Sequence, residues 1–207
     1  MNITNAVEEK VEGDLLEAIF NRQKELMFKY HDIEKASGLL QTEDCPVNLD
    51  DKRGQARIKD FSWRVVEELG EALDAYSHMD IEHFKEELVD GLHFLTELTI
   101  LSGMDPFSGI ESDKLEHLFY RSSPTAHLPR RVMDFIELIG MMCNCLKNKP
   151  WKQSQMLTDK DEFSKRLFST WCAYINILAY TFKDADEVAN VYLKKSQVNK
   201  FRQRSNY

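Results

Sequence analysis

The sequence predicts an all-α protein: a single domain, residues 1–207, built as a helical bundle. Apolar residues recur at helical spacing through most of the chain. The chain holds only 8 Gly and 5 Pro, and it has no runs of alternating β-branched residues that would indicate sheet. Its 43% hydrophobic content, with 12 Phe, 7 Tyr and 3 Trp, suffices for a buried core. We therefore expect six or seven packed helices.

Breaks in the apolar periodicity, together with prolines and capping residues, divide the chain into successive helices. The expected helices are, in order, about 12–37, 55–76, 81–102, a short one ending near 120, 132–146, 158–182 and one after 184. Gly38 closes the first helix, and Asp80 is the expected N-cap of the third. Asp184-x-x-Glu187 resembles a capping box for the last helix.

Composition and the first residues predict a soluble, cytoplasmic protein. No segment approaches the roughly 18 apolar residues of a membrane span, and MNITNAVEEKVEG lacks a basic-then-apolar signal. The four cysteines fit free thiols rather than a zinc site. A net charge of −8 and a pI near 5.3 argue against nucleic acid as a partner.

Two pairs of acidic residues lie on the second and third predicted helices. Glu68 and Glu71 are three residues apart, as are Glu87 and Asp90. Residues at this spacing share one helix face, and Glu87 falls inside the apolar arc of its helix. A carboxylate there costs on the order of several kcal/mol unless a cation pairs with it. Four such acids on two packed helices would form an oxygen cage for Mg²⁺, which favours metal-assisted chemistry on phosphates.

Solvated helix faces are the alternative interpretation of these acids. With 30% charged residues, strings such as EExxE are frequent, and Glu86 looks like such background. Arg57 and Arg64 are expected to project toward the Glu68 and Glu71 side, where helix salt bridges could absorb the charge. On that interpretation the chain is a non-enzymatic helical interaction protein.

A carboxylate-bridged di-iron bundle is a more remote alternative. Asp80-x-x-His83 and Asp90-x-x-His93 have the required side chains. Such a centre needs pairs of this kind on two separate helices, whereas these lie around one helix start. His93 is also expected to point almost opposite the centre of the apolar arc.

Two further features suggest contacts to a nucleotide. Gln23 lies on the apolar stripe of the first helix, where a buried amide is either a satisfied core residue or a reader of a nucleobase edge. Residues 188–207 hold five basic side chains and no acidic one, so residues 1–187 carry −8 − 5 = −13. Such a tail could supply cations to a triphosphate held opposite a magnesium cage.

The acidic pairs and the tail also match known sequence signatures. EELGE and EELVD look like the ExxE and ExxD motifs of the all-α nucleoside triphosphate pyrophosphatases, and ELVDGLHF resembles the context of the second motif. That superfamily includes MazG-type enzymes, dimeric dUTPases and a phage-type dCTPase. The chain end resembles the YxxKxxxNxxRQxxGY ending of the last two groups through Tyr192, Lys195, Asn199, Arg202, Gln203 and Tyr207.

The resemblance implies a homodimeric enzyme that uses two or three Mg²⁺ ions to convert dUTP into dUMP and pyrophosphate. The implied alternative substrate is dCTP, or both, since one flippable glutamine could read either base. Glu68, Glu71, Glu87 and Asp90 would hold the metal, with Glu68 or Glu71 as the base. The implied substrate contacts are Gln23, Tyr192, Lys195, Asn199, Arg202 and Tyr207.

The sequence departs from the family pattern in three places. Residues 75–80, AYSHMD, replace a Trp/Lys-rich stretch, which removes a phosphate-contacting lysine. The ending reads Ser-Asn-Tyr instead of Gly-Tyr. Residues 105–183 match no motif of the family, and we expect them to form an inserted or mobile helical subdomain. The tail could close over its own site or over that of a partner.

Overall fold

The computed structural model describes residues 5–110, 113–122, 126–149 and 151–205. The described chain contains seven α-helices and no β-strand, which confirms the all-α prediction. The helices are, in order, α1 (Leu15–Ala36), α2 (Lys52–Ser77), α3 (Ile81–Ser102), α4 (Lys114–Tyr120), α5 (Leu128–Asn144), α6 (Lys160–Leu178) and α7 (Ala185–Arg204). None of them is both long enough and apolar enough to cross a membrane. Tyr207 lies outside the described residues.

Helix starts follow the capping residues, and the largest shift from an expected start occurs at a proline. Asp80 and Asp184 cap α3 and α7 through their side chains, as predicted, and Asp184 accepts from the Glu187 N–H. Helix α5 begins at Leu128, four residues earlier than expected, with Pro129 in its first turn. Proline is tolerated there because first-turn N–H groups have no partner within the helix.

Helix α3 is the centre of the bundle. It pairs with α2 through the short connection at residues 78–80, and α1, α6 and α7 also pack against it. Its buried side chains include Phe84, Leu88, Leu92, Leu95 and Leu98. Glu87, inside the apolar arc, is buried, and because neighbours surround this helix, His93 and Glu97 outside the arc are buried as well.

Helix α6 joins the 105–183 region to this core. The Trp171 indole N–H donates to Thr99 Oγ1 at 2.9 Å, and the Tyr174 hydroxyl donates to the Leu88 carbonyl oxygen at 2.7 Å. Both aromatic side chains are fully buried. The region thus shares one hydrophobic core with the rest of the described chain. Its mobility, like the single-domain organisation, stays a prediction.

A glycine lets α2, α3 and α6 approach one another. A Cβ atom added at Gly91 would lie 2.2 Å from the Tyr174 hydroxyl oxygen and 3.5 Å from the Glu68 Cβ. No side chain fits there without displacing a neighbour. Gly91 therefore sets the spacing of the helices that carry the acidic pairs.

Candidate active site

Three of the four predicted metal ligands converge between α2 and α3. One carboxylate oxygen from each of Glu68, Glu71 and Glu87 lies within 4.8 Å of the other two. In the described part of the chain, this is the one group of three or more His, Cys, Asp or Glu side chains at metal-binding separation. Glu87 is buried, Glu68 is half-buried and Glu71 is exposed, so the cluster runs from the core to the surface.

The crowding of these carboxylates fits a divalent cation. The pKa of Glu68 is raised to about 8, first by burial and then by its hydrogen bond with Glu87 and the negative charges of Asp90, Glu87 and Glu71. Without metal, Glu68 therefore keeps a proton at neutral pH. A cation can replace that proton and relieve the repulsion. A donor set made only of carboxylate oxygens suits a hard ion such as Mg²⁺.

Asp90, the fourth predicted ligand, lies beside the cluster but is paired with Lys195. The Lys195 ammonium nitrogen is 2.6 Å from Asp90 Oδ2 and 2.5 Å from Glu86 Oε1. Burial raises the pKa of Asp90 to about 6, although the Lys195 charge acts to lower it. Lys195 thus reaches the acidic site from α7, and its contact with the substrate stays a prediction. Glu86 is not solvated background, because it is the second carboxylate on this lysine.

His83 contacts the cluster from its open side, and sequence reasoning missed that contact. Its Nδ1 atom is 3.2 Å from Glu87 Oε1, one helical turn away. The signal was available in the sequence as His and Glu at i and i+4. Asp80, the acidic partner of His83 in the di-iron alternative, instead caps α3. His93 is turned toward Gln23, so the two motifs do not form a joint site.

A cavity of about 300 Å³ opens beside the carboxylates, between α1, α2, α3 and α7. Glu68 and Asp90 line it on the side of the cluster. The remaining walls include Leu26, Ile33 and Phe94, which are apolar, and Gln23, His93 and Asn199, which are polar. An acidic edge next to a mixed apolar and polar pocket suits a nucleotide, with its phosphates near the metal ligands.

The apolar stripe of α1 is buried over only part of the helix. Leu26 is buried, but Tyr30 and Ile33 are 37% and 50% exposed. Both side chains line the cavity instead of filling the core. The stripe therefore leaves the core over the last turns of the helix.

Gln23 is held by hydrogen bonds at both ends of its amide. Its Nε2 donates to Glu97 Oε2 at 2.8 Å, and its Oε1 accepts from the Tyr192 hydroxyl at 2.7 Å and lies 2.7 Å from His93 Nδ1. The His93 ring stacks on Tyr192, with centroids 3.8 Å apart. Gln23 is thus a satisfied buried amide that also lines the cavity. Tyr192 is fully buried behind it.

His93 does not point away from the core, as its position on the helical wheel had suggested. Its side chain is buried between α1, α3 and α7 and lines the same cavity as Gln23. Helix α7 supplies the covering Tyr192 ring, and no periodicity within α3 could have indicated that contact.

The expected salt bridges from Arg57 and Arg64 to the first acidic pair are absent from the structure. Arg57 lies 2.5 Å from Glu34 on α1, and Arg64 lies 2.9 Å from Glu34 and 2.8 Å from Asp60. Arg64 nevertheless lines the cavity one turn before Glu68. It places a guanidinium group in the wall of the nucleotide-sized pocket.

The remaining tail residues have different surroundings. Asn199 lines the cavity, whereas Arg202 is exposed. Gln203 donates to the Leu26 carbonyl oxygen at 3.2 Å, which ties the end of α7 to α1. Tyr207, the last predicted contact, is not among the described residues.

Comparison with known proteins identifies the family. A family model described as dUTPase matches residues 65–207, which is more than half of the chain. The match includes both acidic pairs and the basic tail, while Gln23 on α1 precedes it. No curated protein sequence and no solved structure matched the chain. The protein belongs to the dUTPase family of nucleotide hydrolases and has the all-α fold expected of it.

Proposed function

We propose that this protein hydrolyses dUTP to dUMP and pyrophosphate in a Mg²⁺-dependent reaction. The observation that carries the proposal is the convergence of Glu68, Glu71 and Glu87 beside a cavity of about 300 Å³, in a chain of the dUTPase family. The family assignment supports a hydrolase over a non-enzymatic interaction protein. The alternative substrate is dCTP, or both nucleotides, because an amide that is free to turn can pair with either base.

The acidic cluster would hold two or three Mg²⁺ ions. Glu68, Glu71 and Glu87 provide carboxylate oxygens at suitable separation, and Asp90 would join them when Lys195 exchanges this carboxylate for a substrate phosphate. When bound, the ions would polarise the phosphates and make a bound water more acidic.

One carboxylate on α2, that of Glu68 or Glu71, would accept the proton of the attacking water. The water oxygen then forms a bond to phosphorus, and the bond between the α-phosphate and the departing pyrophosphate breaks. Glu68 can serve only after losing the proton that it holds in the metal-free cluster. His83, 3.2 Å from Glu87, would keep that neighbouring carboxylate in place.

Three cationic side chains would neutralise the triphosphate. Lys195 already lies at the acidic site, and the exposed Arg202 would approach from the end of α7. Arg64 would take the place of the lysine that the sequence lacks after its first motif. Glu34 and Asp60 hold its guanidinium, and the Phe61 ring lies 4.5 Å from it. Ion-paired and stacked in this way, Arg64 needs little further ordering to bind phosphate.

The nucleoside would occupy the inner part of the cavity. Leu26, Ile33 and Phe94 offer apolar surface to the base and sugar, and Gln23 and Asn199 offer amide groups to the edge of the base. Tyr192 would act on the nucleotide through Gln23, because its hydroxyl is bonded to that amide and its ring is buried.

A homodimer is part of the proposal. Helix α5 exposes Met133, Ile136 and Met141 at 61%, 41% and 40%. Met133 lies one turn from Ile136 and two turns from Met141, so these side chains offer exposed apolar surface to a second copy of the chain. Light scattering should give twice the mass of one chain, and Ile136→Lys should reduce it. A monomeric wild-type protein would contradict the dimer.

The test of the proposed function is pyrophosphate release from dUTP, dCTP, dTTP, dATP, dGTP and UTP, each with Mg²⁺ and with EDTA. Turnover of dUTP that requires Mg²⁺ is the expected result. Turnover of dCTP alone would move the assignment to the alternative substrate. No release from any of the six nucleotides would contradict the proposal.

A further inference from the structure

A chain of hydrogen-bonded side chains forms part of the cavity wall and crosses from α1 through α3 to α7. It runs from His31 through Glu97 and Gln23 to His93 and Tyr192. His31 Nε2 is 3.2 Å from Glu97 Oε1, and Gln23 connects Glu97 to the other two residues. Four of these side chains are buried, with exposed fractions of 3% for Gln23, 3% for Glu97, 6% for His93 and 0% for Tyr192. Glu97 lines the cavity but is not one of the carboxylates of the metal cluster.

The members of this network differ in what they can donate and accept. A glutamine amide, a neutral imidazole and a tyrosine hydroxyl can each take part in either direction, by turning the amide, changing the tautomer or rotating the hydroxyl. A carboxylate has no hydrogen to donate. Glu97 is therefore the member that fixes the direction of every bond in the network.

The consequences follow one bond at a time. Gln23 must face Glu97 with its Nε2, so its Oε1 faces Tyr192 and His93, and both of these donate to it. His93 then carries its hydrogen on Nδ1 and leaves Nε2 as a bare acceptor. Burial lowers the pKa of His93 to about 3, with the charges of Lys195 and Arg22 acting the same way, so the ring is neutral at pH 7.

Gln23, His93 and Glu97 line the nucleotide cavity, and the two Glu97 oxygens already contact Gln23 and His31. Among the described residues, His93 Nε2 is buried without a hydrogen-bond partner. The network uses one of the two Gln23 amide hydrogens and leaves the other. The cavity is thus offered one fixed donor and one fixed acceptor.

We propose that Glu97 is a positioning residue for base selectivity, because it fixes the Gln23 amide so that only an N–H faces the pyrimidine. This inference rests on the proposed function. An N–H pairs with the 4-carbonyl of uracil but opposes the 4-amino group of cytosine, whereas an amide free to turn could serve both. A buried polar group that meets the wrong partner discriminates strongly between two substrates. Glu97 thereby makes the site selective for dUTP over dCTP.

Replacing Glu97 by glutamine tests this role with little change in shape. The new amide can donate, so the whole network can reverse: Gln23 turns, and His93 moves its hydrogen to Nε2. Glu97→Asp keeps an acceptor that cannot donate and should retain the wild-type selectivity. Glu82→Gln removes a carboxylate from an exposed position of the same helix and is the matched control.

The first measurement is the ratio of kcat/KM for dUTP to kcat/KM for dCTP. Wild type, Glu82→Gln and Glu97→Asp should all favour dUTP. In Glu97→Gln the ratio should fall by about tenfold or more while turnover is retained. A loss of stability alone would lower both kcat/KM values without changing their ratio. An unchanged ratio in Glu97→Gln would overturn the proposal.

The second measurement needs no substrate. Nitrogen NMR of protein labelled in histidine, with the His93 signals assigned from a His93→Gln variant, reports which ring nitrogen carries the hydrogen. Wild type should show Nδ1–H, and Glu97→Gln should shift the population toward Nε2–H. The same tautomer in both proteins would overturn the role of Glu97. If wild type hydrolyses neither nucleotide, the proposed function fails, and the tautomers still decide whether Glu97 directs the network.

Discussion

Replacing Gly91 by alanine tests how closely three helices approach beside the carboxylate cluster. The new Cβ would lie 2.2 Å from the Tyr174 hydroxyl oxygen, with the Glu68 Cβ at 3.5 Å limiting relaxation toward α2. The hydroxyl must move by about 1 Å to reach an ordinary contact distance. Tyr174 is fully buried, and its hydroxyl donates to the Leu88 carbonyl oxygen at 2.7 Å, so the movement breaks that bond.

The size of the effect can be worked out from these contacts. A buried hydroxyl without a partner costs about 1–3 kcal/mol, and overpacking costs about 1–3 kcal/mol more. Alanine recovers about 1 kcal/mol because it favours the helix over glycine. The free energy of unfolding of Gly91→Ala should therefore fall by about 1–5 kcal/mol, measured by urea denaturation. Hydrolysis should fall as well, since Glu68 carries the neighbouring Cβ atom.

Gly70→Ala is the matched control, because this helical glycine on α2 has open space around its missing Cβ. It should leave stability unchanged or raise it by up to about 1 kcal/mol. Adding Tyr174→Phe to Gly91→Ala removes the clashing oxygen and should restore part of the loss. A Gly91→Ala protein as stable as Gly70→Ala would refute the close approach.

Three other predictions concern the charges of the site. The pKa of Glu68 rises from its ordinary value of 4.5 to about 8 in the folded, metal-free protein. The protonated side chain therefore makes its full contribution to stability below pH 4.5, and this contribution is lost as pH rises through 8. The Tm in EDTA should fall between pH 6 and pH 9, and Mg²⁺ should remove the dependence; a rising Tm would contradict the crowded cluster. Lys195→Met should lower kcat/KM for dUTP by about tenfold or more, because Asp90 loses the ammonium 2.6 Å away, whereas Lys194→Met should retain activity. Equal activities would argue against a role for Lys195. Arg64→Met should weaken calorimetric binding of dUMP and of a non-hydrolysable dUTP analogue by about tenfold but leave deoxyuridine unaffected. Equal losses for all three ligands would indicate a structural role.

The fold and the acidic pairs were predictable because local sequence determines them. Helical spacing places Glu68 beside Glu71 and Glu87 beside Asp90, whatever the rest of the chain does. Asp80 could likewise be identified as a cap from its position alone.

The partners of the cations were not predictable, because they depend on how distant helices pack. Arg57 and Arg64 form ion pairs with Glu34 on α1, and Lys195 on α7 forms one with Glu86 on α3. A helical wheel shows the direction of each side chain but not which helix lies opposite.

His93 and Glu97 illustrate a different limit. A single apolar arc assumes that the opposite face of a helix is solvated. Helix α3 has neighbours around it, so its polar positions become buried hydrogen-bonding groups. The residues that surround Gln23 could therefore be identified only from the three-dimensional structure.

Hydrolysis of dUTP by Glu87→Gln at saturating Mg²⁺, measured beside wild type and Glu82→Gln, tests the metal-cluster account most directly. Glutamine keeps the shape of a side chain that is 7% exposed but replaces a carboxylate oxygen with an amide. Activity should fall by about a hundredfold or more, with Mg²⁺ affinity reduced and the circular dichroism spectrum unchanged. Glu82→Gln should match wild type. Full activity in a folded Glu87→Gln protein would contradict the account.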